Sequence, residues 1–158
     1  MDTPGAGRFP GSGGKAAVPE KGRVLGVDLG TRRVGLALTD ILRIVSSPLD
    51  TLPMVSEKDL VERLVRLCHE REVTMAVLGL PVSADGSEGP LCVRARRVSR
   101  LLGESGIPCV LQDESWSSRQ AKGVLRETGK TRRTSKGKVD AIAASIILRE
   151  FLEAASPS

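Results

Sequence analysis

A few carboxylates stand out in this chain because of where they fall. Asp28 interrupts the apolar run RVLGVDL, although Asp is disfavoured in strands and burying an ionised carboxylate is costly unless a partner or a metal holds it. Asp113 and Glu114 follow the short apolar segment 108–112, Asp85 lies in the loop 79–89, and Asp140 opens the almost wholly apolar stretch DAIAASIILREFL. Carboxylates that converge repel one another unless they hold cations, and an oxygen-only donor set suits Mg²⁺ or Mn²⁺. A pair of such ions about 3.5–4 Å apart is the arrangement that activates water and stabilises the leaving oxygen in phosphodiester cleavage.

Two basic segments could carry the polyanion such chemistry needs. Arg94, Arg96, Arg97 and Arg100 lie in a stretch free of acids from 91 to 103, and Lys130, Arg132, Arg133, Lys136 and Lys138 crowd another. Both could follow a phosphate backbone. Each feature also has a plainer reading. Asp28 could cap a turn, Asp113 and Glu114 could be cap and first-turn acids, Asp140 could be an acid favoured by a helix N-terminus, and the basic runs could be solvated surface. The joint position of the acids favours a site.

That position follows from the elements. Residues 23–29 read as an apolar strand, 30–33 as a turn, and 34–39 as a second strand that alternates large Val34, Leu36 and Leu38 with small Gly35, Ala37 and Thr39. A third strand over about 44–51 contains Pro48, which suits a sheet edge. Leu60, Leu64, Leu67 and Cys68 recur at helical spacing over 57–71, and the continuous apolar run 73–81 reads as a strand covered on both faces. A second helix over 90–104 buries Leu91, Ala95, Val98 and Leu102, and 108–112 reads as a short strand. A third helix is expected over about 118–128, then a basic loop over 128–138, then a largely buried last helix whose Ala141, Ala143 and Ala144 permit close approach to the sheet. The sum is a mixed five-stranded α/β domain, three antiparallel strands followed by two parallel ones with helical crossovers. Ligands of such sheets gather outside the carboxyl ends of the parallel strands, which is where these carboxylates fall.

Composition narrows the classes. At 158 residues the chain is one domain's worth, and 40% hydrophobic content without any run near the roughly 18 residues of a membrane span gives a globular, non-membrane protein. Residues 1–22, rich in Gly and Pro, read as a flexible tail that lacks the apolar core of a secretory signal, so a cytoplasmic protein is expected. The folded domain is expected over 23–154, with a short tail at 155–158. Cys68, Cys92 and Cys109 lack metal or disulfide spacing, and with His69 the only histidine neither a His-Cys zinc site nor a catalytic pair of histidines can form in one chain, while Ser115, Ser117 and Ser118 have no histidine base near them in sequence. The net charge of +5 and a pI near 9.5 suit a polyanionic partner. Aromatics at 2%, with Trp116 alone near the acids, argue for recognition of structured nucleic acid by its backbone rather than by base stacking. The loop GLPVSADGSEGP lacks the G-K-[ST] ending of a phosphate-binding loop.

The segments GVDLGTRRVGLALTD, GLP followed by DGS at 85–87, DESWS at 113–117 and VDAIAA at 139–144 resemble, in that order, the YqgF family. These are RNase H-like proteins described as Holliday junction resolvases and as pre-16S rRNA nucleases, and the likeness runs over about 23–152. The resemblance implies an RNase H-like fold with sheet order 3-2-1-4-5 and a metal-dependent nuclease site. By motif position the acidic residues would be Asp28, Glu114 and Asp140, with Asp113 as an alternate to Glu114, holding Mg²⁺ or Mn²⁺. One departure is Ser115, which stands where the family pattern carries Arg and cannot supply its charge. The expected activity is phosphodiester hydrolysis of structured RNA, pre-16S rRNA in ribosome biogenesis, by a monomer or homodimer. Two competitors are junction resolution in branched DNA and a catalytically weak RNA-binding assembly factor. The D-x-G-T hairpin also fits sugar-kinase and actin-like ATPases, but 158 residues supply no second lobe to enclose ATP.

Overall fold

The computed structural model describes residue 19 and residues 21–81, 85–113 and 135–155, with backbone only at 135–137. The chain runs β1 (Arg23–Leu29), β2 (Arg33–Thr39), β3 (Ser46–Pro53), α1 (Glu57–Glu70), β4 (Val73–Leu80), α2 (Pro90–Glu104), β5 (Cys109–Asp113) and α3 (Ser135–Ala155). The strands form one sheet in the order β3-β2-β1-β4-β5. β1, β2 and β3 pair antiparallel, while β4 and β5 run parallel to β1. This is the expected mixed architecture. The helix expected over 118–128, residues 1–18 and 20 of the tail expected over 1–22, and residues 156–158 of the tail expected over 155–158 lie outside the described residues.

Strand parity divides the sheet into two faces. Leu25, Val27, Leu29, Val34, Leu36 and Leu78 join Leu60, Leu64, Val98 and Leu102 of α1 and α2 in one core. Each fully buried leucine there contributes roughly 1.5–3 kcal/mol. Val24, Ala37, Met75 and Val77 meet Ala144, Ile147 and Leu148 of α3 in a second, smaller core. The small residues of β2 therefore face α3, and the large ones face α1 and α2.

Two element starts differ from the sequence expectation. The β3 strand begins at Ser46, not near 44, because the Asp40 carboxylate accepts the backbone N–H of Ile44 and Val45 at 2.8 and 2.9 Å and holds them in a turn. Pro48 sits opposite Ala37, beside an irregularity in register on the outermost strand, where its missing N–H costs nothing. The last helix begins at Ser135, so the final four residues of the expected basic loop are helical. Asp140 thus lies in the second turn rather than opening the helix, which removes the macrodipole account of its placement. The α1 start is as expected: Ser56 caps it, accepting from the Asp59 N–H at 3.0 Å.

The cysteines behave as buried small hydrophobes. Cys68 and Cys92 are buried and Cys109 half-buried, none of them in a disulfide among the described residues, and burial pushes the thiols of Cys68 and Cys109 up to about 12. No described helix is long and apolar enough to cross a membrane.

Candidate active site

The carboxyl ends of β1, β4 and β5 lie on one edge of the sheet, and β2 starts on that edge as it returns from the turn after β1. The turn is closed by the Gly30 N–H donating to the Arg33 carbonyl at 2.9 Å. Asp28 is the penultimate residue of β1, is 3% exposed, and by parity points to the α3 face. Its partner across the antiparallel ladder is Gly35.

Gly35 brings the second acid to the first. A Cβ at this position would lie 2.0 Å from the Asp140 carbonyl oxygen and 2.9 Å from the Ala141 nitrogen. Only a residue without a side chain lets the backbone of α3 rest on β2 directly opposite Asp28. Gly26, two residues before Asp28, does the same lower on the helix, where a Cβ would meet the Leu148 side chain and the Ala144 carbonyl. Two glycines on one face thus seat α3 and carry Asp140, 5% exposed, to the position beside Asp28.

The compensation for burying Asp140 comes from a residue the sequence analysis assigned only to a turn. Arg33 Nε donates to Asp140 Oδ2 at 2.8 Å, with the Arg33 side chain 39% and the Asp140 side chain 8% exposed. Arg33 shares the parity of Gly35, so it flanks Asp28 diagonally across the ladder. Among the described residues the site therefore has two buried acids and one half-exposed cation. A strand residue that is basic, two positions before a small residue on the helix-covered face, was the only signal available for Arg33.

Asp113 ends β5 and is exposed. Val110 belongs to the α3-face core and Leu111 to the other, so alternation turns Asp113 toward α2, whose Arg96 feels its charge. Asp113 is therefore on the same edge as Asp28 but on the opposite face. Asp85 serves a local turn, accepting the Ser87 N–H at 2.9 Å, and the Ser87 hydrogen bonds hold its carboxyl below the usual range. Glu114, Lys130, Arg132 and Arg133 lie outside the described residues, as does the side chain of Lys136. Among the described residues no three His, Cys, Asp or Glu side chains gather closely enough to hold a metal ion. Asp28 and Asp140 nonetheless offer hard oxygen donors, and His69 and the cysteines belong to the α1/α2 side or its strands, so the donor chemistry fits a hard divalent cation.

The basic segments fall differently. Arg97 holds both oxygens of Glu57 through Nε and Nη2, Arg94 reaches the same carboxylate at 3.5 Å, and Arg96 holds both oxygens of Glu88. The Arg97 hydrogen bonds keep the Glu57 carboxyl below its ordinary range against the desolvation that raises it. Arg100 reaches Glu104 only at 3.9 Å and is 60% exposed. Lys138 is exposed and lines a groove of about 440 Å³ between β3 and α3, two residues before Asp140.

A 3-2-1-4-5 sheet with carboxylates gathered on the first strand and the final helix defines an RNase H-like protein. The fold of Thermus thermophilus RuvC, solved in complex with a Holliday junction substrate, superposes with a TM-score of 0.51 at 16% identity, covering 84% of this chain and 94% of that one. A family model described as RuvX, Holliday junction resolvase, matches residues 22–154. The chain belongs to that family, also called YqgF. A relative from Anaeromyxobacter sp. (strain K), named as a pre-16S rRNA nuclease, is 39% identical over 136 residues, covering 85% of this chain and 99% of its own length. Another of the same name, from Endomicrobium trichonymphae, is 35% identical over 133 residues, covering 83% of this chain and 95% of its own.

Proposed function

We propose that the chain is a metal-dependent nuclease that cleaves structured RNA and matures pre-16S rRNA in the cytoplasm. The observation that supports this best is the pair of buried carboxylates, Asp28 and Asp140, brought to one spot by Gly35. Asp28, Asp140 and Glu114 are the residues we assign to Mg²⁺ or Mn²⁺. Glu114 is chosen over Asp113 because Asp113 turns to the face away from Asp28. When bound, a divalent ion supplies the Lewis acidity that activates water and stabilises a leaving 3′ oxygen.

The chain's own residues do the rest. The sheet fixes Asp28 rigidly, α3 fixes Asp140 against it, and Arg33 offsets part of the charge that would otherwise repel a phosphodiester. Nucleic acid would cross the carboxyl edge of the strands, held by Lys138 of α3 and by Arg94, Arg96, Arg97 and Arg100 of α2. We also assign Lys130, Arg132, Arg133 and Lys136 to phosphate binding from the basic composition of their segment alone. A monomer suffices for RNA processing, whereas junction resolution needs a homodimer that presents two sites to two strands.

The test is cleavage of end-labelled precursor 16S rRNA fragments and of a four-way DNA junction in parallel, with Mg²⁺, Mn²⁺ or EDTA, by wild type and Asp28→Asn. Metal-dependent cutting of RNA that falls to the EDTA level in Asp28→Asn is expected. Cutting of the junction alone would replace the RNA reading with a resolvase. Binding of RNA without any cutting would leave an assembly factor on a nuclease fold, the reading that Ser115 favours.

A further inference from the structure

Arg33 is not placed as a simple counter-ion is placed elsewhere in this protein. Arg96 and Arg97 each grip a carboxylate with two donors, Nε and Nη2, and so spend one whole edge of the guanidinium on a glutamate. Such two-point contacts are the favoured geometry of an arginine–carboxylate pair. Arg33 instead donates to Asp140 through Nε alone. Among the described residues its Nη groups have no hydrogen-bond partner. The side chain is 39% exposed while the carboxylate it holds is 8% exposed, so the guanidinium spans the boundary of the site, inner end anchored and outer end toward solvent.

Its location gives that outer end a task. Arg33 opens β2 at the carboxyl edge of the parallel strands, on the face of Asp28 and beside Gly35. A phosphodiester entering there meets two buried acids, and a planar fork of donors is the side chain best shaped to hold its non-bridging oxygens. We propose that Arg33 is a substrate-binding residue, which docks on Asp140 through Nε and offers its Nη groups to a backbone phosphate at the site. The proposal deepens the nuclease reading and rests on it.

The test is the salt dependence of binding, read by fluorescence anisotropy of a labelled RNA stem-loop in EDTA so that no cleavage intervenes. Wild type, Arg33→Gln, Arg33→Lys, Asp140→Asn and the double variant Arg33→Gln/Asp140→Asn are compared, with melting temperatures confirming folding. Each phosphate neutralised contributes about 0.9 to the slope of log K against log salt in a duplex. Arg33→Gln is expected to lower the slope by about that amount, and Arg33→Lys to retain it. The double variant removes the Asp140 charge together with its Arg33 partner, so it keeps the comparison available if Arg33→Gln folds poorly. A slope in the double variant still about 0.9 below that of Asp140→Asn supports a phosphate contact. A double variant with the slope of Asp140→Asn shows that Arg33 only neutralises Asp140, and overturns the proposal while the nuclease reading stands. Wild type that does not bind the stem in EDTA and does not cut it when Mg²⁺ or Mn²⁺ is supplied would take away the nuclease reading, and this inference with it.

Discussion

Toward α1 and α2 the sheet presents Leu25, Val27, Val34, Leu36 and Leu78, whereas toward α3 it presents Gly26, Asp28, Gly35, Ala37 and Val77. The first face maximises buried apolar area, which is what drives folding. The second gives up that area at two glycines and lets a helix backbone rest on the strands, so that two acids meet in a fixed position. Leu148 and Ile147 anchor the far half of α3, leaving its near half free to serve the site. Stability and chemistry are thus separated by a single layer of strands, and mutations on the two faces should fail in different ways.

The sharpest break of that contrast is Gly35→Ala. The new methyl group would lie 2.0 Å from a backbone carbonyl and cannot be relieved by a side-chain rotation. Either α3 lifts away from β2 or the strand shifts. A loss of more than about 3 kcal/mol is expected. The molecules that still fold should lose Mn²⁺ binding in calorimetry, because Asp140 no longer sits against Asp28. Normal metal affinity in a folded Gly35→Ala would show that the close approach of α3 is dispensable.

The opposite face predicts the opposite pattern. Leu64→Ala empties a fully buried position in the larger core. A cost of about 2–3 kcal/mol is expected, in the lower part of the usual range because α1 has solvent behind it and can settle toward the gap. Cleavage per folded molecule and metal affinity should match wild type, as read from denaturant titration beside activity at low temperature. A fall in metal affinity as large as that of Gly35→Ala would mean that the two faces are coupled through the sheet.

Much of this arrangement was legible in the sequence. The run around Asp28, the alternation of β2, and the helical spacing of α1 and α2 carry strong periods, and the alanines of the last helix announced its close approach to the sheet. The starts of β3 and α3 were not legible, because Asp40 captures two N–H groups four and five residues on and because Lys and Gly within 135–138 conceal a helical turn. The Arg33–Asp140 pair joins residues 107 apart, and nothing in local spacing announces it. The same holds for the arginines of α2. Their acid-free stretch reads as an open basic face, yet Glu57 reaches two of them from α1, 40 residues away in the case of Arg97.

That pairing gives the mildest and most discriminating change, Glu57→Gln. The Glu57 carboxyl is held below its ordinary value of 4.5, chiefly by the Arg97 hydrogen bonds. A carboxylate lowered in the folded state stabilises the protein above the unfolded value, and that contribution disappears as pH falls through the folded one. Glu57→Gln should therefore cost about 1 kcal/mol at pH 7, with the gap to wild type closing below the ordinary value. It also frees the guanidinium groups of Arg94 and Arg97. If nucleic acid passes over α2 as proposed, RNA affinity in EDTA should rise by less than about tenfold, an amount in keeping with one or two exposed charges. Unchanged affinity would confine those arginines to holding α1 against α2, and would leave the basic segment around Lys138 and the Arg33 edge as the path of the phosphate backbone.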